Sequence, residues 1–251
     1  VFFLDFNHRP ERVTRNWHLR RAMQLALDME ELIYKVTKQP GYIPGKTLFP
    51  QFLMGMETNF YKEYPPPEVK LDRVKAREHL EIARQELGLE KWPPLMLLSG
   101  DNPISNIQAE WTQAALKRHL GLDVRIDKQI FKQRLAKMTS GDFDMVMAGW
   151  GPDYDDPLTF ADLFASWNLN NRGRYSSEEL DALIIKAQNS VIQQERMDLF
   201  GQIQQHLFDD VVMLPMYERG VTFVVHPQLK DMKLRVIGPE YDFRYAYIAA
   251  E

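Results

Sequence analysis

The residues best suited to chemistry cluster between Gly141 and Phe160, in the run GDFDMVMAGWGPDYDDPLTF. Three carboxylates, Asp153, Asp155 and Asp156, stand close together, with Tyr154 among them and Trp150 just upstream. Acids so placed have three uses. Two can serve as the acid and base of a hydrolase. The group can hold a cation or an amine through charge-assisted hydrogen bonds. Or they are solvated loop residues with no ligand at all. Asp156 precedes Pro157 and reads as the cap of a helix with proline at its first position. That account leaves unexplained a Trp and an Asp separated by Gly-Pro on a tight turn.

Other chemistry finds little support. His8, His18, His79, His119, His206 and His226 are scattered, without HExxH or paired spacing, so no metal site is expected. GxSxG, GxGxxG and GxxxxGK[ST] are absent, which removes the nucleophile elbow, the dinucleotide fingerprint and the P-loop. No cofactor is implied. With no cysteine, disulfides and thiol catalysis are excluded. A formal net charge of -4 without a basic stripe argues against nucleic acid as a partner. No apolar run is long enough to span a bilayer. Of the twelve methionines, Met138, Met145 and Met147 gather around the acidic stretch. They either fill core or line a permissive pocket, since Met adapts to varied neighbours.

The elements that position this stretch can be read from periodicity. Phe143 to Ala148 is apolar on both faces, as a buried and parallel strand would be. The Gly149-Trp150-Gly151-Pro152 cluster then turns the chain, and Leu158, Phe160 and Leu163 begin a helical pattern. The Trp and the acids therefore sit just past the C-terminal end of a buried strand, where open α/β sheets bind ligands.

Upstream, Val1–Asn7 reads as a strand that starts abruptly, as if the chain were cut from something longer. A helix follows from Asn16, and Asp28 with Glu31 forms a capping box for a second. Gln39–Pro67 is a long, breaker-rich segment whose aromatics are expected to pin it to the core. From Leu71 to Met147 the order is helix, strand, helix, strand, helix, strand, which predicts an α/β fold with a largely parallel sheet. In this reading Ile104, Ile107, Trp111, Ala115 and Leu120 form the apolar face of the middle helix. Two helices follow the acidic loop, one capped at Ser176 or Ser177 and one over Gln193–Phe208. Strands are expected at Val211–Tyr217, with Pro215 marking an edge or a bend, at Val221–Val225, and in short pieces such as Leu234-Arg235-Val236.

The stretch GDFDMVMAGWGPDYDDPLTF resembles the family 5 extracellular solute-binding proteins, the oligopeptide- and dipeptide-binding components of ABC importers. The resemblance extends to Leu19-Arg20-Arg21-Ala22 running to Ala26-Leu27-Asp28. It continues through Tyr175-Ser176-Ser177-Glu178-Glu179-Leu180-Asp181, Glu195-Arg196 and Leu214-Pro215-Met216-Tyr217. It covers the chain from about Phe3 to at least Val225.

The resemblance implies a type II periplasmic-binding-protein-like lobe: a mixed, largely parallel sheet flanked by helices, plus crossover strands. In that family two lobes close on the ligand, and members are about twice this length. Residues 1–14 would be a crossover strand and connection, 15–210 the C-terminal ligand-binding lobe, and 211–251 crossover strands returning to an N-terminal lobe. Asp153 would receive a peptide's α-ammonium group, with Trp150 as a pocket wall and the Gly149 and Gly151 backbones pairing an extended peptide. Tyr154 and Met147 complete the candidate set. The implied partners are a peptide or another amine-bearing solute, the N-terminal lobe and a membrane permease. The implied location is periplasmic, or the outer face of a bacterial membrane. Basic residues that peptide binders carry shortly before the Gly-Trp pair are Met138 and Met147 here, which leaves the far end of the ligand without an evident anchor. The alternative remains a hydrolase built on Asp153 with Asp155 or Asp156.

Overall fold

The structure is a computed structural model and describes residues 1–235, 237–238 and 240–250. Strand β1 (Phe2–Phe6) is almost wholly buried, including its one acid, Asp5. The Asn16 side chain accepts the Leu19 N–H at 3.0 Å and starts α1 (Trp17–Ala26). Asp28 Oδ1 accepts the Glu31 N–H at 2.9 Å and opens a π-helical segment, Glu31–Thr37. The breaker-rich segment contributes only β2 (Ile43–Pro44) and the single turn α2 (Phe60–Glu63). Its aromatics do pin it down. Phe49 and Phe60 are fully buried, Tyr64 stacks on Phe60, and Tyr42 stacks on Tyr217.

Asp72 then caps α3 (Arg73–Glu86) by accepting from the N–H groups of Val74 and Lys75. The predicted alternation follows as β3 (Leu95–Gly100), α4 (Pro103–Leu120), β4 (Val124–Gln129), α5 (Phe131–Ser140) and β5 (Met145–Gly149). After the turn α6 (Leu158–Ala161), Ser177 caps α7 (Glu178–Asn189), and α8 (Gln193–Asp209) leads into β6 (Met213–Glu218). Two small antiparallel pairs complete the described elements. They join Leu229–Lys230 with Tyr247–Ile248 and Lys233–Leu234 with Tyr241–Asp242.

The main sheet has the order β2-β6-β1-β5-β3-β4. It is mixed, but its parallel character is confined to β5-β3-β4; β1 is antiparallel to both β5 and β6, and β2 to β6. The reason is connectivity. Crossover helices enforce parallel pairing, and they run between β3, β4 and β5 only. Side chains alternate between two cores. Leu4, Phe6, Leu97 and Met145 face α1, α3 and α4. Phe3, Leu98, Val146 and Ala148 face α6, α7 and α8.

Two sequence expectations need correction, and a third resolves between its alternatives. The buried side of α4 runs through Gln108, Ala109, Thr112, Ala115 and Leu116, while Ile107 is exposed and Ile104 and Trp111 are half-buried. Ala115 and Leu120 are buried as expected; the two polar residues on the buried side are Thr112, which satisfies its hydroxyl within the helix by donating to the Gln108 carbonyl at 2.9 Å, and Gln108, whose Oε1 lies 3.5 Å from the Tyr217 hydroxyl. Val221–Val225 forms no strand among the described residues, and Val224 is fully exposed. Of the two readings offered for Pro215 the bend holds: β6 lies between β2 and β1, and Pro215 pairs with Phe3 beside a register shift in that ladder. Val236, part of one predicted strand piece, lies outside the described residues.

One glycine is dictated by close approach. A Cβ on Gly173 would lie 2.2 Å from the Phe6 carbonyl oxygen and 3.1 Å from Asp5 Oδ1. Asp5 is buried against this backbone, and one of its oxygens, Oδ1, has no hydrogen-bond partner. Burial pushes its carboxyl up to about 7, against the opposing pull of the Phe6 backbone and the Arg9 charge.

Candidate functional site

Strand directions bring five chain segments to one edge of the sheet. β6, β5, β3 and β4 end there, and β1 begins there. From this edge the chain leaves β3 into α4 on one face and leaves β5 toward α6, α7 and α8 on the other. A reversal of that kind marks the place where α/β sheets commonly take ligands. The β3–β5 pairing extends only as far as Leu98 opposite Val146. Beyond it the space is bridged by side chains. Ser99 Oγ donates to Met147 Sδ at 3.7 Å, and Arg134, from the first turn of α5, donates through Nη1 to the Met147 carbonyl at 3.1 Å.

The loop after β5 is held at three points. Trp150 and Val1 exchange backbone hydrogen bonds at 2.9 Å each, which extends the β1–β5 ladder past Gly149. The Trp150 indole N–H donates to the Thr159 carbonyl at 2.6 Å. The Asp153 N–H donates to Thr159 Oγ1 at 3.2 Å. Gly149 must lack a side chain, because a Cβ would lie 2.7 Å from the Phe2 ring. Gly151 is open on all sides.

The candidate residues separate clearly. Gly149, Gly151, Asp153, Tyr154 and Asp155 are exposed, Trp150 is half-buried, and Met147 is buried with its side chain in the core beneath α1, α3 and α4. The Asp153 carboxylate has no hydrogen-bond or ion-pair partner among the described residues. Asp156 is wholly engaged. Its Oδ1 accepts the N–H of Leu158, the first residue of α6, at 2.8 Å; the N-cap position of that helix is Pro157 rather than Asp156. Its two oxygens also grip the Arg196 guanidinium, at 2.5 and 2.6 Å. Arg196 is fixed in turn by the Ala187 carbonyl and by the Phe200 ring, 4.9 Å away. That engagement removes Asp156 from any hydrolytic acid pair. The acids do form one electrostatic neighbourhood. Burial raises the Tyr154 hydroxyl, assisted by Asp162, Asp156 and Asp153, and burial together with the Asp153 charge raises the Asp162 carboxyl.

Several groups on this edge escape sequence reasoning. Phe2, Tyr217 and Tyr42 stack face to face, with ring centroids 4.6 and 5.0 Å apart. The Tyr217 hydroxyl lies 3.5 Å from Gln108 Oε1, and burial pushes that hydroxyl up to about 12. Gln108 is 3% exposed, and its amide nitrogen has no partner. Arg134 has its Nε buried without a partner, and burial lowers the guanidinium. The signal for Gln108 was its place four residues before Thr112 on α4, a polar stripe that reads as solvent-facing until the helix is docked. Among the described residues, no three His, Asp or Glu side chains are placed to hold a metal ion.

The mixed sheet flanked by helices is an α/β architecture of the type II periplasmic-binding-protein kind. The comparisons agree. The family model described as bacterial extracellular solute-binding proteins, family 5 Middle, matches residues 1–171. The chain belongs to that family. The dipeptide-binding protein of Lactococcus lactis subsp. cremoris (strain MG1363) is 28% identical over 243 residues, covering 95% of this chain and 44% of that protein. The oligopeptide ABC transporter substrate-binding domain of Bacillus anthracis str. Ames superposes with a TM-score of 0.90 at 28% identity, over 99% of this chain and 49% of that one. Listeria monocytogenes OppA bound to peptide superposes with a TM-score of 0.87 at 28% identity, over 100% of this chain and 49% of that one. The chain thus spans about half the length of the relatives it matches.

Proposed function

We propose that this chain is the C-terminal, ligand-binding lobe of a two-lobed receptor that captures peptides non-covalently and delivers them to an ABC importer permease, outside the cytoplasmic membrane. Residues 1–14 and 211–251 carry the connections to an N-terminal lobe, and 15–210 form the lobe itself. It is not an enzyme in this reading. The observation that carries it is the division of labour among the acids. Asp156 is tied to Arg196, while Asp153 is exposed and unpaired beside Trp150, at this edge of the sheet. An unpaired carboxylate there, on a loop whose backbone is held by Thr159, offers an ammonium group a charge-assisted bond. Gly149 and Gly151 leave backbone accessible for pairing with an extended peptide, which is blind to side-chain identity. Ligand contacting both lobes would shift the population to the closed form.

The test is native mass spectrometry of the full-length protein beside its Asp153→Ala variant. A heterogeneous set of peptide masses on the parent, depleted in the variant, is the expected result. A single non-peptide mass unaffected by the substitution would overturn both ligand class and site.

A further inference from the structure

One pair of side chains outside the ligand site comes from two helices packed against each other. His18, in the first turn of α1, and His79, midway along α3, bring their Nδ1 atoms to 2.7 Å. They are 61 positions apart, so no spacing motif announces them. The pair lies toward the end of the sheet opposite the acidic loop. β6 finishes on the edge that carries that loop, so the chain enters β6 at the opposite edge. The Trp17 indole N–H, next to His18, donates there, to the Asp209 carbonyl at 2.8 Å.

Two imidazoles can meet through nitrogen in two ways. One neutral ring can donate its Nδ1 proton to the other, or both can direct lone pairs at one cation. The surroundings supply what the second arrangement needs. Glu86, at the end of α3, has Oε2 held by the Asn16 amide at 2.8 Å and Oε1 3.8 Å from His18 Nε2. A carboxylate behind that nitrogen places the ring proton on Nε2 and leaves the Nδ1 lone pair aimed at His79, as metal-bound histidines are commonly oriented. His79 is held neutral. Burial, then the charges of His18, Arg21 and Lys75, lower its pKa against the pull of Glu78, and the neutral ring is the form that binds a metal. The Trp17 ring stands T-shaped to both imidazoles, at 4.9 and 5.5 Å, and limits their rotation. The His18 side chain is 25% exposed, so an ion can reach it.

The spacing fits as well. Metal–imidazole bonds of about 2.0–2.1 Å put two nitrogens about 2.9 Å apart at a right angle, and about 3.3 Å apart at a tetrahedral angle. From 2.7 Å the pair opens by only about 0.2 Å for the first and about 0.6 Å for the second. Tetragonal ions of the copper(II) and nickel(II) type therefore need the least movement. Among the described residues no third His, Asp or Glu converges on the pair, so water completes the coordination.

We propose that His18 and His79 bind a divalent transition-metal ion of this type through Nδ1, clamping α1 to α3, with Glu86 as the positioning residue behind His18. The site is separate from the acidic loop and does not rest on the peptide-binding reading.

The experiment titrates the full-length protein with Cu²⁺ alone and reads pulsed EPR, which counts bound imidazole rings, beside thermal melts. The expected result is one equivalent of Cu²⁺ carrying two imidazoles, with a higher Tm in the loaded protein. His18→Gln and His79→Gln should each lose the two-imidazole signal and the Cu²⁺-dependent rise in Tm. His226→Gln, at an exposed position, should keep both. Glu86→Gln should keep two imidazoles and weaken binding about tenfold or more. A parent spectrum with one imidazole or none would overturn the proposal without recourse to any variant, and would leave the pair as a hydrogen bond between helices. A two-imidazole signal that survives either histidine substitution would overturn it equally. A Glu86→Gln affinity equal to the parent's would remove the positioning role.

Discussion

Asp156 and Asp153 stand three residues apart, and the structure assigns them opposite duties that stability measurements can separate. Asp156 joins the acidic loop to α8 through two bonds to Arg196, whose side chain is 15% exposed against 27% for the acid. Breaking a buried pair costs ~3–5 kcal/mol and a surface pair ~0–1. At this intermediate burial about 2 kcal/mol is expected. The bond from the Leu158 N–H adds about 1 kcal/mol, the worth of a helix cap. Asp156→Asn keeps an acceptor for Leu158 but loses the charge, so it should cost about 2 kcal/mol. Asp156→Ala loses both and should cost about 3 kcal/mol, a fall in Tm of roughly 6–12 °C for a chain of this size. Asp153→Asn should stay within about 0.5 kcal/mol of the parent. Urea unfolding of the three variants, with Arg196→Met to close a double-mutant cycle, gives each figure. A cost below about 1 kcal/mol for Asp156→Ala, or an equal cost for Asp153→Asn, would refute the assignment.

Asp5 gives a pH signature. Its carboxyl rises from an ordinary 3.8 to about 7 on folding because it is buried, so the folded chain favours the neutral acid. That preference contributes fully below pH 3.8 and is lost as pH rises through about 7. Asp5→Asn should therefore exceed the parent in stability at pH 8, by an amount on the order of 4 kcal/mol, with the gain vanishing toward pH 4; denaturant titrations at both pH values measure it, and a pH-independent difference would contradict the burial argument. Gly173→Ala places a Cβ 2.2 Å from the Phe6 carbonyl, backbone against backbone. It should lower stability by roughly 1–3 kcal/mol, and a thermal melt equal to the parent's would show that the two segments can separate freely.

The acidic loop was legible because its cues are local. Asp156 before Pro157 announces a helix start, and the apolar run from Phe143 announces the buried strand that ends at Gly149. The alternation from Leu71 to Met147 was legible because α4 and α5 are amphipathic crossovers between short strands. What sequence could not show was long-range. The antiparallel half of the sheet depends on β1 lying between strands that are distant in sequence. The Arg196 grip on Asp156 spans 40 positions, and Tyr217 meets Gln108 across 109. Periodicity placed Ile104, Ile107 and Trp111 on the buried face of α4 because it weighs apolar side chains, whereas the docked helix also buries Gln108 and Thr112.

The central position of β1 also sets the order in which the molecule can be made. Residues 2–6 find their partners only when 145–149 and 213–217 have been synthesised. At about 5–20 residues per second the first strand waits roughly ten to forty seconds for the last. Until then the side of Phe-Phe-Leu-Asp-Phe that β6 will take lacks that partner and is open to association with another such edge. Asp5 is the only charge within it. The acid that the finished fold must bury at a cost is, in the growing chain, a gatekeeper against misassembly.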